Sequence, residues 1–307
     1  MKLKVGTRGS KLALLQTEMV TSTLKTVDPD VEIEIRVIKT TGDRLPSKPL
    51  LTIKAKGIFE KEIDEAVVRG DVDFAVHSMK DVPSIQPEGL DIVAVSKRER
   101  ANDVLVSKNG LTLRKLPKDA IVGTSSPRRL AQVLNVRPDI RVETLRGNVE
   151  TRVRKLEQGL YDAIILAEAG LRRLKLDDKI TERLDVDMFT PAPGQGALAV
   201  VAKSGSPVKE VLEKINHKPS MIETFAERFF LAKLGGGCKI PVGAIGRCKN
   251  GQLTLLGTVL SPDGRIRISK KTSGNENDFE QIGLRLALEL LDSGASSLIA
   301  EWRSKSE

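Results

Sequence analysis

Hydrophobic positions over residues 1–203 switch repeatedly between a strand period and a helix period. The stretch VEIEIRVI at 31–38 alternates strictly, and short apolar runs at 3–5, 73–76 and 91–95 read as buried strands. Between them Leu15, Met19, Val20, Thr23, Leu24 and Val27 fall three and four apart, which predicts one buried helix face. Ser10, in the turn TRGS at 7–10, stands where that helix needs its cap. Ile58, Phe59, Ile63, Ala66 and Val67 mark a second helix. A second series follows, with strands at 104–106, 121–123, 140–144 and 163–166 and helices at about 126–135, 148–158 and 168–174. Strands alternating with helices predict mostly parallel sheets joined by crossovers. After the loop PAPGQG at 191–196, the apolar run 197–202 reads as a buried strand returning to the first sheet.

Beyond Pro219 the pattern changes. A long helix over about 219–234 precedes three consecutive strand-like runs at 242–247, 252–260 and 265–271, then a helix at 278–292, the order of a small α+β domain. The chain therefore divides into an α/β lobe of residues 1–97 with 194–215, a second α/β lobe of 98–193, and a C-terminal domain of 216–307. No internal repeat is visible, although two α/β halves of similar size suit a pair of lobes around a cleft.

Composition narrows the function. The formal net charge is +9, and the middle third holds eleven of the 23 arginines. Arginine forks grip carboxylate or phosphate through paired hydrogen bonds, so a polyanionic ligand competes with a merely solvated surface as the explanation. Aromatic residues make up only 3%, too few for the stacking platforms of single-strand nucleic-acid binders. Two cysteines ten residues apart and two histidines argue against a disulfide framework and against a metal site. The basic N-terminus is too broken for a signal peptide and no apolar run approaches a membrane span, which predicts a cytoplasmic protein.

Candidate chemistry gathers at the carboxyl ends of predicted strands, where α/β sheets hold their ligands. HSMKDVP at 77–83 brings Ser78, Lys80 and Asp81 together as donor, cation and base; a plain turn stabilised by Asp81 is the competing reading. GTSSPRR at 123–129 places Thr124, Ser125, Ser126 and Pro127 at a helix start with Arg128 and Arg129 just inside, an anion site that capping alone does not explain. LRGNVETR at 145–152 repeats the arrangement with Arg146, Gly147, Asn148 and Arg152, and AEAGLRR at 167–173 does so again with Arg172 and Arg173. Three such junctions point to one crevice. Cys238 follows three glycines and precedes Lys239, a setting open to a bulky group and favourable to thiolate, whereas Cys248 falls in a strand-like run. Neither histidine has the context a cysteine hydrolase needs.

Together HSMKDVP, GTSSxRR, LRGNV with Arg152, PGQG at 193–196 and GGCxxP at 236–241 resemble the porphobilinogen deaminase (hydroxymethylbilane synthase) family, in order and spacing, over nearly the whole chain. The resemblance implies two lobes like those of periplasmic anion-binding proteins around a cleft, with a third domain carrying a dipyrromethane primer. It implies head-to-tail joining of four porphobilinogen molecules, each losing ammonia, and release of linear hydroxymethylbilane for tetrapyrrole synthesis. On this basis Cys238 carries the primer as a thioether, and Ser78, Lys80, Thr124, Ser125, Ser126, Arg128, Arg129, Arg146 and Gly147 hold it. Arg8, Ser10, Lys56, Phe59, Arg152, Arg173 and Gln195 bind substrate, and Asp81 is the catalytic carboxylate beside cationic ring species. A cytoplasmic monomer with no metal, nucleic-acid or membrane partner is the implied form.

One segment departs from the family pattern: where many members have Lys-x-Gly-Gly-Lys-Gly-Leu-Phe, this chain has Thr52 for the first Lys and Lys54-Ala55 for the glycine pair. A binding module without catalysis would share the lobes and the arginines but not Cys238 or a third domain. A nucleic-acid binder would explain the charge but not arginines at strand–helix junctions.

Overall fold

A computed structural model describes residues 1–40, 60–235 and 240–304. Strand β1 (Lys2–Thr7) leads into helix α1 (Lys11–Val27) and strand β2 (Glu32–Val37); helix α2 (Lys61–Arg69) precedes strands β3 (Phe74–Ser78) and β4 (Leu90–Val95). Then come β5 (Asp103–Ser107), β6 (Ile121–Gly123), α3 (Pro127–Val136), β7 (Arg141–Glu143), α4 (Val149–Glu157), β8 (Ala163–Ala167), α5 (Glu168–Arg173) and β9 (Glu182–Arg183). Strand β10 (Leu198–Lys203) and helices α6 (Lys209–Glu213) and α7 (Lys218–Lys233) lead to β11 (Val242–Lys249), β12 (Gln252–Leu260) and β13 (Arg267–Asn275). Helices α8 (Phe279–Leu290) and α9 (Ser296–Ser304) close the chain. None of the described helices is long and apolar enough to cross a membrane.

The chain forms two compact units, Met1–Glu99 with Gly196–Ile222 and Arg100–Gln195 with Glu223–Glu307. In the first, the sheet order is β2-β1-β3-β10-β4, with β1 parallel to β2 and β3 and with β10 antiparallel to both neighbours. In the second it is β7-β6-β8-β5-β9, with β6 parallel to β7 and β8 and with β5 antiparallel to both neighbours. With the reversed strands β10 and β5 set apart, the other four strands of each sheet follow one order (second, first, third, fourth), and the reversed strand lies between the third and fourth in both, a repeat of topology that the sequence does not display. Each sheet carries one reversed strand alongside four that run the same way, so both are mostly parallel as expected. Both reversed strands start within a few residues of the points where the chain passes between units. No crossover helix intervenes there to restore the parallel direction.

Burial follows the strand patterns. Leu3 and Val5, Phe74 and Val76, and Leu198 and Val200 form the first core together with Val20 and Leu24 of α1. The buried face of α1 differs from the predicted stripe: Met19 and Val27 are exposed, and Gln16, Thr17 and Thr21 point inward. These polar groups are satisfied. Thr17 Oγ1 donates to Thr7 Oγ1 at 2.8 Å, and Gln16 Nε2 donates to Ser78 Oγ at 2.9 Å. Helix α1 is therefore cut to hold the end of β3, not only to fill the core.

The antiparallel sheet β11-β12-β13 packs against α8 and belongs to the second unit. Asn135 Nδ2 of α3 donates to Gly264 O at 2.7 Å, Thr190 and Thr258 share a hydroxyl hydrogen bond at 2.9 Å, and Trp302 Nε1 donates to Leu260 O at 3.0 Å.

Candidate functional site

The described site residues form one cluster in each unit. In the first, β1 and β3 are neighbours, so their carboxyl ends lie side by side. Arg8 and Ser10 follow β1; Ser10 caps α1 by accepting from Ala13 N at 3.3 Å. Ser78 ends β3, and a single 3₁₀ turn, Met79–Asp81, follows it. Buried Met79 and its N–H, which donates to Ala197 O at 3.0 Å, pin that turn, leaving Lys80 half-buried and Asp81 exposed. Lys56 and Phe59 lie outside the described residues.

Three groups of this cluster were not singled out from the sequence as functional. His77 Nε2 donates to Asp64 Oδ1 at 3.1 Å, and both residues are buried. Glu60, also buried, has its carboxyl pushed up to about 8, first by burial, then by the negative charges of Asp81 and Asp64, against the opposing pull of Arg8. The end of β3 thus combines three carboxyl groups with a guanidinium group.

In the second unit the parallel strands β7, β6 and β8 are adjacent, which brings the three expected strand-to-helix junctions to one end of the sheet. At the first, Ser126 caps α3 by accepting from Arg129 N at 3.4 Å, with Pro127 opening the helix. Ser125 Oγ donates to Leu145 O at 2.5 Å and Thr124 Oγ1 accepts from Ser126 N at 3.2 Å. At the second, Asn148 caps α4 by accepting from Thr151 N at 2.9 Å. Gly147 has φ +114°, and a Cβ there would meet Thr151 Cγ2 at 2.7 Å, so the position requires glycine. Arg152 Nε donates to the Gly147 carbonyl at 2.7 Å, and Arg146 lies half-buried in the same turn. The third junction differs from expectation. Helix α5 has only six residues and no side-chain cap, and Arg172 and Arg173 sit at its far end, away from any favourable N-terminal dipole.

Arg128 and Arg129 also differ from the open forks expected of them. They are 5% and 6% exposed, and both are bound to Asp103, which is 0% exposed. Arg128 Nη1 donates to Asp103 Oδ2 at 2.6 Å and to Thr190 O at 2.8 Å; Arg129 donates to Asp103 Oδ1 through Nε at 3.1 Å and Nη2 at 2.8 Å, and to Ile165 O at 3.1 Å. Burial pushes the Asp103 carboxyl up, but the two guanidinium groups together outweigh it and hold the group well below the usual carboxylate range. Gln195, expected to touch substrate, is 1% exposed and directs its amide nitrogen to Ala101 O at 2.6 Å and Asp103 Oδ1 at 2.9 Å. Apolar flanks in DVLVS hid Asp103 from the sequence reading, since a buried carboxylate there looks like a strand edge.

Cys238 lies outside the described residues. Cys248 stands on β11, and burial followed by the nearby Glu223 and Glu276 pushes its thiol up to about 12, which leaves it protonated and unreactive at neutral pH.

A family model described as porphobilinogen deaminase, dipyromethane cofactor binding domain, matches residues 3–210, and one described as porphobilinogen deaminase, C-terminal domain, matches residues 221–292. A porphobilinogen deaminase of Pelotomaculum thermopropionicum is 47% identical over 305 residues, covering 99% of this chain and 98% of that protein. A probable porphobilinogen deaminase of Nitrosopumilus maritimus is 45% identical over 308 residues, covering 100% and 98%. Among solved structures, the second substrate-binding domain of Lactococcus lactis GlnP matches 70% of this chain and 86% of its own, with a TM-score of 0.43 at 14% identity.

Proposed function

The chain belongs to the porphobilinogen deaminase family, transferases of tetrapyrrole biosynthesis, and on that premise we propose that it is a hydroxymethylbilane synthase. It carries the family's dipyrromethane cofactor-binding domain. In this reading it joins four porphobilinogen molecules head to tail and releases linear hydroxymethylbilane, working as a cytoplasmic monomer without nucleic-acid or membrane partners. Residues 1–97 with 194–215, 98–193 and 216–307 are its functional divisions, and the last carries the primer on Cys238.

The observation that carries the reading is the end of β3, where exposed Asp81 follows Ser78 and Lys80 on a pinned turn while Arg8 leaves the neighbouring strand. Each substrate brings an acetate, a propionate and an aminomethyl group. Arg8, Arg152 and Arg173, with Ser10, Lys56 and Phe59, are assigned to the incoming ring, while buried Gln195, bonded to Asp103, is assigned to supporting that carboxylate instead. Asp81 lies beside it, stabilises positive charge as ammonia departs, and takes up the proton lost when the new carbon–carbon bond is complete.

The buried cluster of the second unit fits an acidic primer. Among the described residues, Asp103 is the one carboxylate on the guanidinium groups of Arg128 and Arg129, so a positive charge is in excess among buried atoms. A primer carboxylate would balance it. Arg128 and Arg129, with Ser78, Lys80, Thr124, Ser125, Ser126, Arg146 and Gly147, are assigned to holding the primer, which when bound supplies the pyrrole carbon that is extended.

Intact mass of the native protein tests the proposal: it should exceed the sequence mass by two pyrrole units and rise in ring-sized steps with porphobilinogen. Cys238→Ser should remove the adduct and Cys248→Ser should keep it. An unmodified native mass, or an adduct that follows Cys248, would count against it. A finer expectation concerns the arginines. Lys at 128, 129 or 146 should yield protein lacking the adduct. Lys at 8, 152 or 173 should keep the adduct but slow elongation, because a point charge does not reproduce the two-bond fork. Normal loading and elongation in all six variants would remove the forks from the account.

A further inference from the structure

Gln16 is buried on the inward face of α1, where an apolar side chain would pack without the cost of desolvating an amide. Its Nε2 donates to Ser78 Oγ at 2.9 Å, and among the described residues neither side chain has another hydrogen-bond partner. The next residue, Thr17, donates its hydroxyl to Thr7 Oγ1 at 2.8 Å and so fastens this turn of α1 to the end of β1. The reach of Gln16 to the end of β3 is thereby fixed. Ser78 stands at the cap position of the Met79–Asp81 turn but makes no side-chain cap bond there. A serine in that position ordinarily commits its hydroxyl to the backbone of its own turn. The bond between the two residues has a direction. An amide nitrogen only donates, so toward Gln16 the Ser78 oxygen is an acceptor and its own hydrogen remains for a different partner.

We propose that Gln16 is a positioning residue that sets the polarity of the Ser78 hydroxyl, holding it as a hydrogen-bond donor to a carboxylate of the primer. A hydroxyl left to itself serves equally as donor or acceptor; with Gln16 donating to its oxygen, it turns its hydrogen toward an anion. The inference rests on the proposed assignment of Ser78 to the primer and adds the residue that makes that contact selective for negative charge.

The test is the first addition of porphobilinogen to primer-loaded protein, followed by mass in a single turnover. Gln16→Met keeps the length of the side chain and removes the donor. It should lower the saturating rate of first addition about tenfold, the effect of one hydrogen bond to a charged group, and leave the KM for porphobilinogen unchanged. Ser78→Ala should lose the same factor. The double variant should be no slower than Ser78→Ala, because Gln16 acts only through that hydroxyl. Gln16→Glu is nearer to glutamine in shape yet should be slower than Gln16→Met, since a carboxylate accepts the Ser78 hydrogen and repels the primer. The cycle of Gln16→Met and Ser78→Ala decides the matter even where Gln16→Glu does not fold. Losses that multiply to about a hundredfold in the double variant would show a structural role and overturn the inference. A normal rate or a raised KM in Gln16→Met, or Gln16→Glu faster than Gln16→Met, would overturn it too. A native mass without the primer adduct, or Ser78→Ala that loads and elongates normally, would instead overturn the assignment of Ser78 beneath it.

Discussion

Asp81→Asn should slow elongation by about 10²–10⁴-fold, the usual contribution of a positioned proton-transfer group, while the protein stays folded and primer-loaded. The substitution keeps size and shape, removes the charge and turns one acceptor oxygen into an amide donor. The turn that presents residue 81 is fixed by other atoms: buried Met79, the Met79 N–H on Ala197 O, and the Val82 N–H on Met79 O at 3.3 Å. Because Asp81 is exposed, its loss should alter stability by less than about 0.5 kcal/mol. Single-turnover addition of porphobilinogen, followed by mass, separates coupling from release, and thermal unfolding reports the fold. Near-normal coupling in Asp81→Asn would make this residue a turn former and nothing more.

Asp103→Asn should cost about 3–5 kcal/mol of stability at neutral pH, because it leaves two buried guanidinium groups facing an uncharged amide. Arg128, Arg129 and Gln195 all aim at this one carboxylate, and α3, β5 and the 191–196 loop are joined through it. The pH dependence follows from the lowered carboxyl. A group held below its unfolded value of about 3.9 contributes stability that is full above that value and is lost as the pH falls through the folded one, so wild type should lose this contribution below about pH 4. Asp103→Asn should lack that acid dependence. Its arginines, no longer oriented, should also fail to retain the primer. Urea unfolding at pH 7 and at about pH 2, well below the unfolded value, with native mass, measures all three. A cost below about 1 kcal/mol would show that the arginines find other partners and that Asp103 is not their anchor.

Strand positions were legible because their burial depends on local apolar runs: IVG at 121–123 and AIILA at 163–167 can be read without knowing their neighbours. The junction caps were legible for the same reason, since Ser10, Ser126 and Asn148 bond to backbone three residues away. Interactions between distant residues were not. Gln16 holds Ser78 across 62 positions and Arg128 holds Asp103 across 25, and neither pairing leaves a periodic trace. The inward face of α1 was misplaced for this reason, because buried Thr17 and Gln16 count as polar in any pattern of hydropathy. The reversed direction of β5 and β10 likewise depends on where the chain enters each sheet. The motifs that resemble the family were clear in sequence, while Asp103 and Asp64, which are bonded to Arg128, Arg129 and His77 of those motifs, needed the fold.

Strand β10 has a consequence for the order in which the protein is made. It lies between β3 and β4, hydrogen-bonded to both, yet it is encoded after the whole of the second sheet. A growing chain that has emerged through Val95 holds β1 to β4 but lacks the strand that joins β4 to the others, leaving the open edges of β3 and β4 without partners. The sheet spanning Asp103 to Arg183 is contiguous and completes while the first still waits. Vectorial synthesis therefore reverses the usual N-terminal-first order for these two sheets. The first closes only when Lys203 has cleared the ribosome, and until then Asp81 has no fixed turn to stand on, since Met79 N has no Ala197 carbonyl to bind.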